Sequence, residues 1–343
     1  MAKKVKIKDI AAKLGLSSTL VSMVLNNKAD KHGIKIETQK RVVDLATRMG
    51  YFENAKIDST RDIAEVGPGI IGMVVHSLKD PFIAEISDHL RKAFASLGYG
   101  FSIITWDKKD SRYIRVASNI RSFFSGVILA GDAADDDLIR SLKASDFPFV
   151  ILEKSNVNLR LNIVRTDCHA GAVKLGAHLK GFDYSRIVIV HPERTDAYIE
   201  DKINCTLNLL KKELDSSVVQ QESLKLDITG RIEIDDIKSL LKSPSRPDLL
   251  IVSDSYLVYP LIQSLNDLRV RIPQDLALVS LEDGIGFDLF STSLTRLKRD
   301  VASIASKAVS ILWTEIKNRG KSKHKRAVSL APDLIVRKSC GTL

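Results

Sequence analysis

The sequence predicts an α/β protein in which a small all-helical head precedes a larger body of alternating strands and helices. Three observations carry this. Three short apolar patterns at helical spacing lie before Gly50. From Ile70 onward, strand-length apolar runs alternate with helix-length amphipathic ones. Between them, residues 53–69 turn polar and end in Gly67-Pro68-Gly69, which no helix tolerates.

In the head, a first helix is predicted over Ile7–Leu14, with Ile10, Ala11 and Leu14 on one face. Gly15 permits a tight turn, and Ser17 is a suitable N-cap for a second helix ending near Asn26. That helix carries Leu20, Val21, Val24 and Leu25 as its apolar stripe. A polar stretch, residues 26–35, leads to a third helix over Glu37–Met49, stopped by Gly50.

In the body, strands are predicted at Ile70–His76, Gly100–Thr105, Gly126–Leu129, Phe149–Leu152, Ile187–Val190, Leu249–Val252 and Leu276–Ser280. Helices are predicted at Phe82–Leu97, Asp110–Ser122, Asp135–Ala144, Gly171–Lys180, Ala197–Leu214, Arg231–Leu241, Tyr256–Leu268 and Arg299–Asn318. Continuously apolar strands alternating with helices imply doubly wound parallel sheets covered on both faces. There are too many units for one small sheet, so two lobes are expected.

Composition narrows the function. The chain carries a net charge of +10 over 343 residues. Residues 1–61 hold thirteen Lys/Arg against six Asp/Glu, so +7 sits on the head and +3 on the remaining 282 residues. Such asymmetry suits a head that meets a polyanion. The start has no apolar signal region and no run is long enough to span a bilayer, so a cytoplasmic protein with no membrane partner is expected. Cys168, Cys205 and Cys340 lie far apart with no C-x-x-C pair, which reads as three ordinary reduced thiols and no metal site. The basic run Lys317–Arg326 reads as a solvated helix end and loop.

A helix-turn-helix needs two helices held at a fixed angle across a tight turn. Ala11-Ala12 offers small side chains for close approach, and Gly15-Leu16-Ser17 offers the turn, an apolar plug and the cap. The second helix then exposes Ser17, Ser18, Thr19, Ser22 and Met23 as candidate DNA contacts, with Asn26, Asn27 and Lys28 set to touch the backbone. A generic three-helix bundle is the plain alternative, against which stand the basic charge and the N-terminal position.

These residues resemble the LacI/GalR family of bacterial regulators over nearly the whole chain. The resemblance rests on Val5–Ala11, Gly15-Leu16-Ser17, Val21–Asn26 and Thr38–Val42 leading to Gly50-Tyr51 in the head. In the body it rests on Ile71–Val75, Asp80-Pro81-Phe82, Gly126–Leu129, Phe147–Ile151, Arg271–Ser280 and Leu294-Thr295. It implies a helix-turn-helix head over 1–54, a hinge over 55–69 and a periplasmic-binding-protein-like body over 70–343. Within that body it implies an N-lobe of about 70–165 with 296–325, and a C-lobe of about 166–295 with 326–343. It also implies a homodimer reading a near-palindromic double-stranded operator, with allosteric control by a small effector, sugar-like or nucleoside-like, held between the lobes.

Four departures modify that picture. Lys6 replaces a Thr cap, and Met23 replaces an Arg of the recognition helix, so no bidentate contact to guanine is available there. Glu53-Asn54-Ala55 lacks the usual Pro, and Thr60 stands where a Leu wedges into the minor groove; the hinge helix is either absent or bends DNA less. Asp30–Ile34 lengthens the turn between the second and third helices.

Strand ends at the lobe interface supply the candidate effector contacts His76, Phe82, Asp196, Asp254 and Glu282. Phe82 is placed to stack on a sugar or base. Asp254 stands where relatives often have Asn, and Glu282-Asp283 replaces an Asp-Asp pair. The family's cleft arginine near 200–205 is not evident, and Lys202 lacks a planar fork. The plain alternatives are helix core for Phe82, a strand cap for His76 and solvated loops for the acids. Asp167 and His169 are close in sequence, but there is no H-E-x-x-H, G-x-S-x-G or P-loop, so no enzyme and no cofactor is expected. A solute-binding module without DNA readout is the alternative function.

Overall fold

A computed structural model describes residues 5–25, 29, 34–49, 69–105, 120–154, 160–193, 197–214, 218–225, 230–242, 246–322 and 324–341. The chain divides into two compact units, Met1–Gly67 and Pro68–Leu343.

The first unit contains α1 (Ile7–Leu14), α2 (Ser18–Leu25) and α3 (Ile36–Arg48). Ile10, Ala11, Val21, Val24, Val42 and Ala46 form its buried core, with Leu14, Leu16 and Leu20 packed around it. Ala11 makes the expected close approach, whereas Ala12 is exposed and takes no part. Gly15 ends α1 in the left-handed region at φ 63°. Lys6 gives α1 no side-chain cap, as its chemistry requires; instead its backbone N–H donates to the Asp9 carboxylate at 2.7 Å. The Ser17 hydroxyl accepts the Leu20 N–H at 3.1 Å and so caps α2. The expected extended turn, residues 30–34, falls outside the described residues except for Ile34, and the hinge, residues 55–69, except for Gly69.

The second unit runs β1 (Ile70–Val75), α4 (Pro81–Ser96), β2 (Gly100–Thr105), β3 (Gly126–Ala130), α5 (Asp136–Ala144), β4 (Phe149–Leu152) and β5 (Ile163–Thr166). It continues with α6 (Cys168–Leu179), β6 (Ile187–Pro192), α7 (Ala197–Glu213), β7 (Val219–Leu224), α8 (Ile234–Lys242), β8 (Leu249–Val252), α9 (Ser255–Asp267) and β9 (Ala277–Ser280). It ends with β10 (Thr295–Lys298), α10 (Val301–Lys317), β11 (Ala327–Leu330) and β12 (Asp333–Ile335). The expected helix over 110–122 lies largely outside the described residues.

Two six-stranded sheets result, in the orders β11-β5-β4-β3-β1-β2 and β12-β10-β9-β8-β6-β7. Every pairing is parallel except β10 with β12. The central strands β1, β3, β4, β8 and β9 are apolar on both faces because helices cover both sides. No described helix is long and apolar enough to cross a membrane.

The chain crosses between the sheets three times: after β5, after β10 and after β11. Two expected lobe boundaries therefore move. Thr295 and Arg296 pair with Val279 and Ser280, so the second crossing comes after Lys298 rather than at 296. Ala327–Leu330 pairs with Ile163–Thr166, which keeps that strand in the first sheet and places the third crossing beyond residue 326. Arg296 anchors the second crossing: its buried guanidinium bonds Asp283 and Asp288, and Arg337 shares Asp288.

Candidate effector cleft and nucleic-acid-binding face

A cavity of about 570 Å³ opens between the carboxyl ends of the two parallel sheets, a volume within the range of small-molecule sites. Strand ends and helix starts position its lining. His76 follows β1 and is exposed; Glu153 follows β4, Asp254 follows β8 and Glu282 follows β9. Asp80 caps α4 by accepting the Phe82 N–H at 2.9 Å, with Pro81 in the first turn. Asp254 caps α9 by accepting the Leu257 N–H at 3.0 Å, and its other oxygen takes the Ser253 hydroxyl at 2.9 Å.

Glu282 is the hub. Its Oε1 accepts Lys202 Nζ at 2.6 Å and Arg299 Nη2 at 2.7 Å, and its Oε2 accepts the Ser255 N–H at 3.2 Å. Burial pushes this carboxyl up, but Arg299 and Lys202 outweigh it and hold Glu282 at about 2. Burial likewise opposes the charge of Arg299, yet Glu282, Tyr198 and Glu153 keep it firmly protonated. Burial and the charge of Glu282 raise the Asp254 carboxyl. Burial and Glu153 push the Tyr198 phenol well above its usual range, leaving it a hydroxyl donor.

His76, Phe82, Asp254 and Glu282 therefore share one cavity, whereas Asp196 lies outside the described residues. Phe82 does not offer an open stacking platform. It is 7% exposed, and the Arg299 guanidinium lies 4.2 Å from its ring centroid. Asp283 turns away to Arg296. Asp167 caps α6 through the Ala170 N–H at 3.0 Å, and His169 is exposed. No group of three or more His, Cys, Asp or Glu among the described residues is placed to hold a metal ion.

Sequence reasoning missed Arg299, Tyr198 and Glu153. Arg299 sits in the crossing between β10 and α10, directly before the Asp300 cap, so its arrival in the cleft depends on the return of the chain. Glu153 occupies the left-handed region at φ 50°, buried, with its carboxylate accepting the Thr166 N–H and hydroxyl. That conformation is costly for a non-glycine residue, but nothing in the local sequence announces it.

In the head, α2 has two faces. Val21 and Val24 are buried, while Ser18 and Thr19 are exposed and Ser22 and Met23 half-buried one turn later. Ser17 is exposed but commits its oxygen to the cap. Asn26, Asn27 and Lys28 lie outside the described residues.

Residues 177–340 match the family model of a periplasmic binding protein-like domain. The chain is 22% identical over 349 residues to the HTH-type transcriptional regulator DegA of Bacillus subtilis, covering 99% of each. It is 24% identical to the HTH-type transcriptional repressor PurR of Mannheimia succiniciproducens, covering 97% of this chain and 98% of that one. The body shares its fold with a LacI family regulator from Enterococcus faecalis solved with bound ribose: TM-score 0.68, 19% identity, covering 80% of this chain and 99% of that one.

By whole-length similarity, the chain is a LacI/GalR-family regulator.

Against that family's expected cleft arginine near 200–205, the guanidinium here comes from Arg299, on a different crossing. Lys202 still reaches the same carboxylate, as a point charge rather than a planar fork.

Proposed function

We propose that this chain is a sequence-specific DNA-binding transcription repressor whose operator affinity is set by a small polyhydroxy metabolite held in the body cleft. The observation that carries the reading is the two-faced α2: one stripe builds the head core, and the other, Ser18, Thr19, Ser22 and Met23, faces away from it on a strongly basic segment. Ser17 caps the same helix end, and residues 26–28 follow it as phosphate contacts.

The cleft chemistry favours a neutral ligand of the sugar or nucleoside class. Glu282, Arg299 and Lys202 already neutralise one another, so a ligand need not bring charge. Asp80, Asp254 and Glu282 offer acceptor oxygens for hydroxyls, and Tyr198 offers a donor. His76 and Phe82 close the N-lobe side, with Asp196 assigned to the opposite rim. A homodimer in the cytoplasm presents two heads to a near-palindromic site.

The test separates the two halves. Removing residues 1–61 is expected to abolish DNA binding while leaving a body whose melting temperature rises with the right sugar or nucleoside. Full-length dimer affinity is expected to fall by about 10³–10⁵ between roughly 50 and 200 mM salt. A truncated chain that still binds DNA, or an association indifferent to salt, overturns the reading. The alternative, a solute-binding module, gives the bare face of α2 no role.

A further inference from the structure

We propose that Cys168 and Cys205 form a peroxide-oxidisable dithiol, closing to an intramolecular disulfide that ties the first inter-lobe crossing to the helix flanking the cleft. The proposal goes beyond the regulator reading and does not depend on it.

The sequence holds these thiols far apart, but the fold brings them together. Cys168 is the first residue of α6, immediately after the chain leaves β5 of the first sheet for the second lobe. Cys205 lies on α7, one turn beyond Lys202, whose Nζ reaches Glu282 in the cleft. The two helices run side by side in register. Gly176 backs onto Leu209 and Leu210, where an added Cβ would meet their side chains at 3.4 and 3.5 Å, and Lys180 pairs with Glu213. At the other end of the same contact, the Cys168 and Cys205 thiols hydrogen-bond each other. Both are half-buried and so within reach of a small oxidant, whereas Cys340 is buried against His178 and Thr295, with contacts of 3.2 Å to each.

The pair is chemically unequal. The hydrogen bond from Cys205 holds the Cys168 thiol down at about 7, against burial and the charge of Asp167, so much of it is thiolate at neutral pH. The same interaction, with burial, pushes Cys205 up and keeps it a thiol. A helix N-terminus favours the thiolate as well.

The chemistry balances with a hydroperoxide as the named oxidant. The Cys168 thiolate attacks one peroxide oxygen; the O–O bond breaks, the sulfur becomes a sulfenic acid, and hydroxide leaves and takes a proton as water. The Cys205 sulfur then attacks the sulfenic sulfur. The S–S bond forms, the S–O bond breaks, and the Cys205 proton departs with the hydroxyl as a second water. Two thiols are oxidised and one peroxide reduced; an external dithiol reverses the step by exchange.

The test uses the reduced full-length protein and a slight excess of hydrogen peroxide. Alkylation followed by mass spectrometry is expected to show loss of two of the three reactive thiols, with a peptide pair joining Cys168 to Cys205 and Cys340 still reduced. Cys205→Ser is expected to stop at a sulfenic acid on Cys168, captured by dimedone, and Cys168→Ser to resist peroxide altogether. The wild-type peptide map needs no variant, so misfolding of a serine variant cannot obscure the result. Cross-links between chains, joins to Cys340, sulfinic acid on Cys168 without a cross-link, or no oxidation where free glutathione reacts would each overturn the proposal.

Discussion

Arg299 lies over the ring of Phe82, 4.2 Å from guanidinium carbon to centroid, while its Nη2 bonds Glu282 at 2.7 Å. One residue from a lobe crossing thus joins the start of α4 in the first lobe to the end of β9 in the second. The aromatic ring supports the cation, and the cation neutralises the carboxylate at the floor of the cleft.

Arg299→Ala is expected to remove about 3–5 kcal/mol of body stability, because it leaves a buried carboxylate with one partner fewer. Arg299→Lys is expected to recover part of this, since an ammonium restores charge but not the planar contact with Phe82. Urea unfolding midpoints check the order. Equal stability for all three proteins would remove Arg299 from its assigned role.

Glu282 gives the body an acid-sensitive step. Its folded carboxyl sits at about 2, below an ordinary glutamate near ~4.3. A depressed value contributes stability above the unfolded value, and that contribution fades as pH falls from about 4.5 through about 2. The amount at stake is roughly 3 kcal/mol. Glu282→Gln is expected to lower stability at neutral pH and flatten the loss over that window, as measured by melting temperature against pH. A variant as acid-sensitive as wild type would assign the acid step to other carboxylates.

Ser18→Ala or Thr19→Ala is expected to change which DNA sequences are selected from a randomised pool, each by about 1–3 kcal/mol at the affected base. Lys28→Ala is expected to weaken all sequences alike. If all three variants shift selection equally, the base-contact assignment to the exposed stripe of α2 is wrong.

Gly15→Ala tests the turn of the head. Nothing lies within 4 Å of an added Cβ, so the cost is backbone strain at φ 63° alone. About 1–2 kcal/mol is expected, read as a lower melting temperature of an isolated head or weaker DNA binding by the full chain. The body transition should not move.

Local chemistry made much of this legible. Apolar runs such as Leu249–Val252 can only be strands buried on both faces, and the stripe Leu20, Val21, Val24 and Leu25 can only be one side of a helix. The strands β5, β7, β10, β11 and β12 escaped notice because they are short, polar or both, and owe their place to neighbours rather than to their own pattern. His76, Phe82, Asp254 and Glu282 were found because strand ends at a lobe interface are where such sheets bind ligands.

By itself, then, the sequence determined a basic helical head, a two-lobed parallel α/β body and the strand ends that face the cleft, since periodicity and charge act over a few residues. Only the tertiary structure decided that Arg299 fills the cleft, that Phe82 carries a guanidinium, and that Cys168 meets Cys205. Those contacts join residues far apart in the chain, and they exist because the backbone crosses between the sheets three times. No local pattern records where a crossing strand returns, so the pairing of distant charges and thiols is set by the packing of the whole body.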